Sequence, residues 1–268
     1  MITLTLRATL SSRLEVDGVT ADRLAMLGEQ EIAELPVWLG ARVARLGDFF
    51  TVAGGRSSQV HVVGDLAQVD GLAGGMAGGE LTIDGDIGQR LAAGMTGGSI
   101  EVRGRAGDEA GVSMAGGSLR INGDAGDRLA AALPGASKGM TGGEVLVRGS
   151  AGTDAGARMR RGLVVVAGHV GDQAARDTIA GTLVVLGMCG AAPGRGSKRG
   201  SIIAAGGITV PDTYQYACTF EPPHVRLTMT YLRRRYGLAI EDRVVSGRYR
   251  RHCGDAGVPG RGEILELI

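Results

Sequence analysis

Leu81-Thr82-Ile83-Asp84-Gly85-Asp86-Ile87-Gly88 returns 19 residues later as Ile100-Glu101-Val102-Arg103-Gly104-Arg105-Ala106-Gly107. Aligned on its first aliphatic residue, the phrase begins at Leu81, Ile100, Leu119, Val145, Val164, Leu183 and Ile202, in steps of 19, 19, 26, 19, 19 and 19. A glycine follows four positions after each start, from Gly85 to Gly206, and another three further on in all but the last repeat. Five positions before a start stands Met76, Met95, Met114, Met140 or Met159, and then Thr178 and Ser197. A fixed period near twenty residues marks a solenoid, whose units bury their apolar face only by stacking. Short apolar alternation followed by glycine reads as strand and corner. Glycine is too frequent for helices, where each costs about 1 kcal/mol relative to alanine, and a leucine-rich ladder is missing. The expected fold is all-β, a right-handed parallel β-helix of about seven to eight coils of 19 residues. Equivalent residues then stack about 4.8 Å apart. The aliphatic starts and the methionines form inward ladders, each buried methionine contributing roughly 1.5 to 3 kcal/mol. A methionine stripe at coil spacing reads as core, not as a soft-metal site.

Outside the array the composition changes. The aromatic residues all fall outside 51–213: Trp38, Phe49 and Phe50 before it, and Tyr214, Tyr216, Phe220, Tyr231, Tyr236 and Tyr249 after it. Bulkier flanks suit caps that close a solenoid's ends, giving an N-terminal cap over 1–50, the repeat domain over 51–210 and a C-terminal cap over 211–268. In the first, a short helix capped by Thr20 and a degenerate coil over Val43 to Phe50 are expected. In the last, a helix spans Pro223 to Arg235 and a strand closes the chain at Glu263 to Ile268. The long repeat from Leu119 carries its extra residues around Leu129 to Ser137, a loop at one corner.

A net charge of +1 predicts no global attraction to nucleic acid or membrane. Cys189, Cys218 and Cys253 have no metal or disulfide spacing, no segment has the length of a membrane span, and a cytoplasmic location is expected. His61, His169, His224 and His252 sit in no motif that names a reaction. Gly190 to Lys198 lacks the Gly-Lys-Ser/Thr order of a phosphate loop, and the triplets Gly104, Gly107, Gly111 and Gly149, Gly152, Gly156 mark coil corners. Asp86 and Asp124 are interrupted by Arg105 and Ser150 in their ladder, unlike the acidic groove of a carbohydrate-cleaving β-helix. No catalytic residue and no metal ligand is therefore assigned. The one charged feature is geometric: Arg160-Arg161 and Lys198-Arg199 occupy the same positions two coils apart, roughly 10 Å on one edge, with Arg158 and Arg195 beside them. Such an edge suits an extended polyanion.

The seven coils resemble the C-terminal β-helix of glutamate synthase. Glu31-Ile32-Ala33-Glu34-Leu35-Pro36-Val37, Leu46-Gly47-Asp48-Phe49-Phe50, Tyr216-Ala217-Cys218-Thr219-Phe220, Gly247-Arg248-Tyr249-Arg250-Arg251 and Gly262-Glu263-Ile264-Leu265 narrow this further. They resemble the C-type subunit of the formylmethanofuran dehydrogenase family, over nearly the whole chain. That resemblance implies a non-catalytic scaffold with no cofactor of its own, and it implies two branches. In one, a formyl group passes from formyl-tetrahydromethanopterin to a methanofuran-type carrier and is hydrolysed to formate, the sister subunits being a formyltransferase, a hydrolase and a B-type subunit. In the other, sister subunits with molybdenum or tungsten form formylmethanofuran. Only Lys138 and Lys198 are lysines among 29 basic residues, which suggests a GC-rich bacterium and the first branch. The carrier's polyglutamate tail, also implied by the resemblance, makes Arg160, Arg161, Lys198 and Arg199 its expected contact. An independent β-helix enzyme and a simple oligomeric scaffold are the competing classes.

Overall fold

A computed structural model describes residues 1–7 and 9–268. The first strand, β1 (Ile2–Leu6), alternates buried Ile2 and Leu4 with outward threonines. β2 (Leu14–Glu15) follows, then α1 (Ala21–Leu24), whose N-cap Thr20 accepts the Arg23 amide at 3.4 Å. α2 (Glu29–Ala33) is held at its start by Glu31, whose carboxylate accepts the Gly28 amide at 2.7 Å. A hairpin of β3 (Pro36–Leu39) and β4 (Arg42–Arg45) pairs Trp38 with Val43. It leads through α3 (Leu46–Phe49) to β5 (Phe50–Ala53).

Here the structure departs from the degenerate coil expected over Val43 to Phe50. β5 runs antiparallel to β1, with Phe50 opposite Leu6. The reason is that β1 already fills the neighbouring slot of the array: Ile2 pairs in parallel with Val60 of β6 (Gln59–Val63). The segment before the array can then join only at the outer edge. β7 (Val69–Asp70) pairs with β2 in a separate four-stranded sheet.

The repeats continue as β8 (Glu80–Asp84), β9 (Ser99–Val102), β10 (Ser118–Ile121), β11 (Glu144–Val147), β12 (Leu163–Val166), β13 (Thr182–Val185) and β14 (Ser201–Ala204). Each pairs in parallel with the next, and the aligned residues are those read from the repeat: Leu81, Ile100, Leu119, Val145, Val164, Leu183 and Ile202. The 26-residue step leaves this register intact, since Leu119 still opposes Val145. A second set of parallel bridges links Leu66, Ile87, Ala106, Ala125, Ala151, Val170 and Cys189 at successive corners. The whole is strand-rich, dominated by one 13-stranded sheet.

Packing explains the methionines. All five are fully buried, as are Thr178 and Ser197 that replace them. Thr178 satisfies its hydroxyl by donating to the Ala175 carbonyl at 2.7 Å, so a polar group costs little there. A Cβ on Gly98 would lie 2.6 Å from the Met76 Cε and 2.7 Å from the Gly79 carbonyl oxygen. Each methionine methyl thus occupies the space that the glycine of the following repeat leaves. Burial also pushes the Cys189 thiol up to about 12, keeping it protonated and inert.

After the array come β15 (Gln215–Phe220), α4 (Pro223–Tyr236), α5 (Asp242–Ser246), β16 (Tyr249–Gly254) and β17 (Gly262–Leu267). β17 joins β14 in parallel, placing Ile264 beside Ile202, and β16 and β15 extend the sheet antiparallel beyond it. α4 lies across the sheet's outward face. Its Val225, Met229, Leu232 and Tyr236, spaced for one face of a helix, bury Leu146, Val165, Val184, Ile203 and Leu265. The equivalent outward positions earlier in the array are Thr82, Glu101 and Arg120. The rung therefore switches from polar to apolar where the helix begins to cover it.

Candidate functional site

The corner residues that most resemble catalytic groups are backbone acceptors. Asp86 accepts the Arg105 amide at 2.7 Å, and Asp124 the Ser150 amide at 2.7 Å. Ser150 Oγ accepts the His169 amide at 3.0 Å, and His169 Nδ1 accepts the Met188 amide at 2.9 Å. A parallel ladder runs through Asp108, Asp127 and Asp172, each capping the residue one repeat on. Corners lie outside the strand pairing, and these side chains satisfy amides that the pairing leaves free. The Arg105 guanidinium and amide hold the Asp86 carboxyl below the usual carboxylate range.

Two other polar groupings lie on the sheet's outward face. His61 Nε2 is 2.6 Å from Asp84 Oδ2, and Arg103 Nη1 is 2.8 Å from the other oxygen. At the margin of α4, Glu144 receives the hydroxyls of Tyr231, at 2.9 Å, and Tyr236. Burial first, and then the carboxylate, push both hydroxyls above the ordinary tyrosine range. The Arg120 guanidinium stacks 5.1 Å from the Tyr236 ring centroid, and Arg148 donates to the Tyr236 carbonyl at 2.7 Å. This grouping, which sequence reading missed, pins the helix end to β10 and β11. Among the described residues no set of three or more His, Cys, Asp or Glu is placed to hold a metal ion.

The four residues of the expected basic edge are all exposed. The Arg160 amide donates to the Met140 carbonyl and the Lys198 amide to the Thr178 carbonyl, both at 2.8 Å, so the two pairs do occupy matching places in their repeats. No ion pair engages the side chains of Arg160, Arg161, Lys198 or Arg199 among the described residues. Arg158 does not join them. Its guanidinium turns to the Ala136 carbonyl at 3.2 Å and to Asp177 at 3.6 Å. Arg195 is exposed beside Asp255 and Pro211.

Large apolar side chains also stand exposed elsewhere on the surface. Trp38 and Val43 face outward on the hairpin, Leu227 on the free side of α4, Tyr231 at the helix margin beside Glu144, and Tyr216 on the edge strand β15. Aromatic residues of this kind dominate protein interfaces. Among the described residues no helix is long and apolar enough to cross a membrane.

No family model matches the chain. Among curated proteins, it is 37% identical over 91 residues to the C subunit of the formyltransferase/hydrolase complex Fhc of Methylorubrum extorquens, a stretch covering 34% of each chain. It is 32% identical over 84 residues to the C subunit of the molybdenum-containing formylmethanofuran dehydrogenase 1 of Methanosarcina barkeri, covering 30% of this chain and 28% of that one. The matched stretch thus spans about a third of the length of these curated relatives. The structural similarity is far more extensive. A chain in the crystal structure of the formyltransferase/hydrolase complex FhcABCD from Methylorubrum extorquens, in complex with methylofuran, superposes with a TM-score of 0.91 at 35% identity. That superposition covers 99% of both chains. Identity of this size across the entire fold, flanks included, places the chain in the family of C-type subunits of the formyltransferase/hydrolase and formylmethanofuran dehydrogenase complexes.

Proposed function

We propose that this chain is a right-handed parallel β-helix, closed by its two flanks, that serves as a non-catalytic scaffold subunit. The complex it serves moves a formyl group from formyl-tetrahydromethanopterin to a methanofuran-type carrier and hydrolyses it to formate. The observation that carries the reading is the end-to-end match to a chain of FhcABCD. In-register pairing and the corner bridges support the β-helix. Absorption of Asp86, Asp124 and His169 into corner capping supports the scaffold role. The exposed aromatic and apolar groups at Trp38, Leu227, Tyr231 and Tyr216 are the docking points for sister subunits. These are a formyltransferase, a hydrolase and a B-type subunit. The cytoplasm is the compartment that suits such a complex. The test is purification of the tagged chain from its own host, with mass spectrometry and elemental analysis. Sister subunits free of molybdenum and tungsten are expected. Either metal in stoichiometric amount moves the chain to the dehydrogenase branch.

Within that complex, the edge of Arg160, Arg161, Lys198 and Arg199 guides the carrier through its acidic tail. Four unpaired cations roughly 10 Å apart over two repeats suit an extended polyanion better than a compact one. Replacing all four with alanine weakens carrier binding to the complex about tenfold at low salt and flattens its salt dependence. Unchanged affinity across a salt titration contradicts the assignment.

A further inference from the structure

The extra residues of the long repeat form a roof instead of a free loop. Leu129 and Ala130 keep fully buried positions, and the chain then leaves the array and closes over a cavity of ≈180 Å³. Two arginines hold the roof. Arg128 Nη2 donates to the Ala132 carbonyl at 2.7 Å, and Arg158 Nη1 donates to the Ala136 carbonyl at 3.2 Å. A third, Arg176, lines the floor, with Nε on Asp154 at 2.8 Å and Nη1 on Asp177 at 3.2 Å. Buried Ala131 and Ala157, packed with Val112, make the apolar side.

Donor capacity points to the ligand. The lining contains three guanidinium groups and the carboxylate of Asp154, with Glu109 3.3 Å from Arg128 and Asp177 3.2 Å from Arg176 just outside it. Each guanidinium has five donor hydrogens, and the bonds described use only one or two of them. Arg128 Nε is buried without a hydrogen-bond partner, since Glu109, 3.3 Å away, is out of line with its hydrogen. Spare, partly desolvated arginine donors favour an anion, and their planar fork matches a carboxylate. Size narrows the ligand further. The cavity is well below the roughly 300–1,000 Å³ of sites that enclose drug-sized molecules, so a pterin or a furan carrier does not fit, whereas an anion of a few heavy atoms does.

We propose that the cavity under residues 131–136 binds a small carboxylate anion. Formate belongs to that class, but the site rests on its own geometry and not on the function proposed above. The test is calorimetric and thermal-melting titration of the full chain with sodium formate, acetate and phosphate, against sodium chloride at equal ionic strength. Saturable binding of formate and acetate is expected, with a rise in melting temperature that chloride does not produce. The double variant Arg128→Gln/Arg158→Gln lowers that affinity at least tenfold. Arg158→Lys keeps the charge and the fold but loses the fork, and lowers it at least threefold. Three results overturn the site: no binding beyond chloride, binding of phosphate alone, or wild-type affinity in the Arg158→Lys variant.

Discussion

Gly98→Val removes a large part of the stability of the chain. Gly98 has φ +84°, and a Cβ there lies 2.6 Å from the Met76 methyl, 2.7 Å from the Gly79 carbonyl oxygen and 2.9 Å from the Gly78 carbonyl carbon. The methionine can yield, but the two backbone contacts cannot. They belong to the preceding repeat, whose distance is set by the sheet hydrogen bonds on either side of it. A β-branched residue at positive φ adds its own strain. Together these exceed about 4 kcal/mol, the range of the most damaging single substitutions, in a fold whose expected margin is about 5–15 kcal/mol. Gly94→Ala is the control. Gly94 has φ +66° but nothing within 4 Å of the added carbon, so only the left-handed conformation is penalised, by about 1–2 kcal/mol. Urea melts of the two variants separate close approach of neighbouring repeats from backbone conformation. Equal, mild losses contradict the stacking of repeats described above.

Val184→Asn and Thr82→Asn are expected to differ although they change the same rung of the sheet. Val184 is fully buried beneath α4, between Val165 and Ile203. An amide there loses its water and gains no partner, costing about 3 kcal/mol. Thr82 lies on the uncovered half between His61 and Glu101, where an amide remains hydrated and changes stability by less than about 0.5 kcal/mol. Thermal melts measure both. A large loss at Thr82 contradicts the open, hydrated half of the sheet face described above.

The contrast between those rungs also marks how much of the fold was legible in the residues. The repeat start at Leu81 and its successors aligned with the observed register because side-chain period and coil length together leave one solution. The helix expected from Pro223 is present, and it ends one residue later than expected, at Tyr236 before Gly237 with its positive φ. Its destination was written too, in the change from Thr82, Glu101 and Arg120 to Leu146, Val165, Val184 and Ile203. An outward run of four aliphatics in a sheet needs a cover, but inward ladders alone drew the reading. The pairing of Ile2 with Val60 was not legible, because it joins segments some sixty residues apart without any repeat between them. Coil position gave Arg160 and Lys198 matching places, and their amides do bond to matching carbonyls of the preceding repeat. It misplaced Arg158, whose side chain follows the carbonyl of an inserted loop that the repeat has no register for. The Glu144 grouping escaped because its tyrosines are some ninety residues away on another element.

The central claim is that this chain supports chemistry performed elsewhere in its complex. The most direct measurement is the formyl-hydrolysis rate of the intact complex rebuilt with His61→Gln/Asp84→Asn. That pair, 2.6 Å apart on the uncovered sheet face, is the shortest histidine–carboxylate contact among the described residues. A scaffold role predicts a kcat within about twofold of wild type, well below the 10²–10⁴-fold contribution of a general acid or base. A loss of about a hundredfold or more, in a complex that retains all its sister chains, contradicts it.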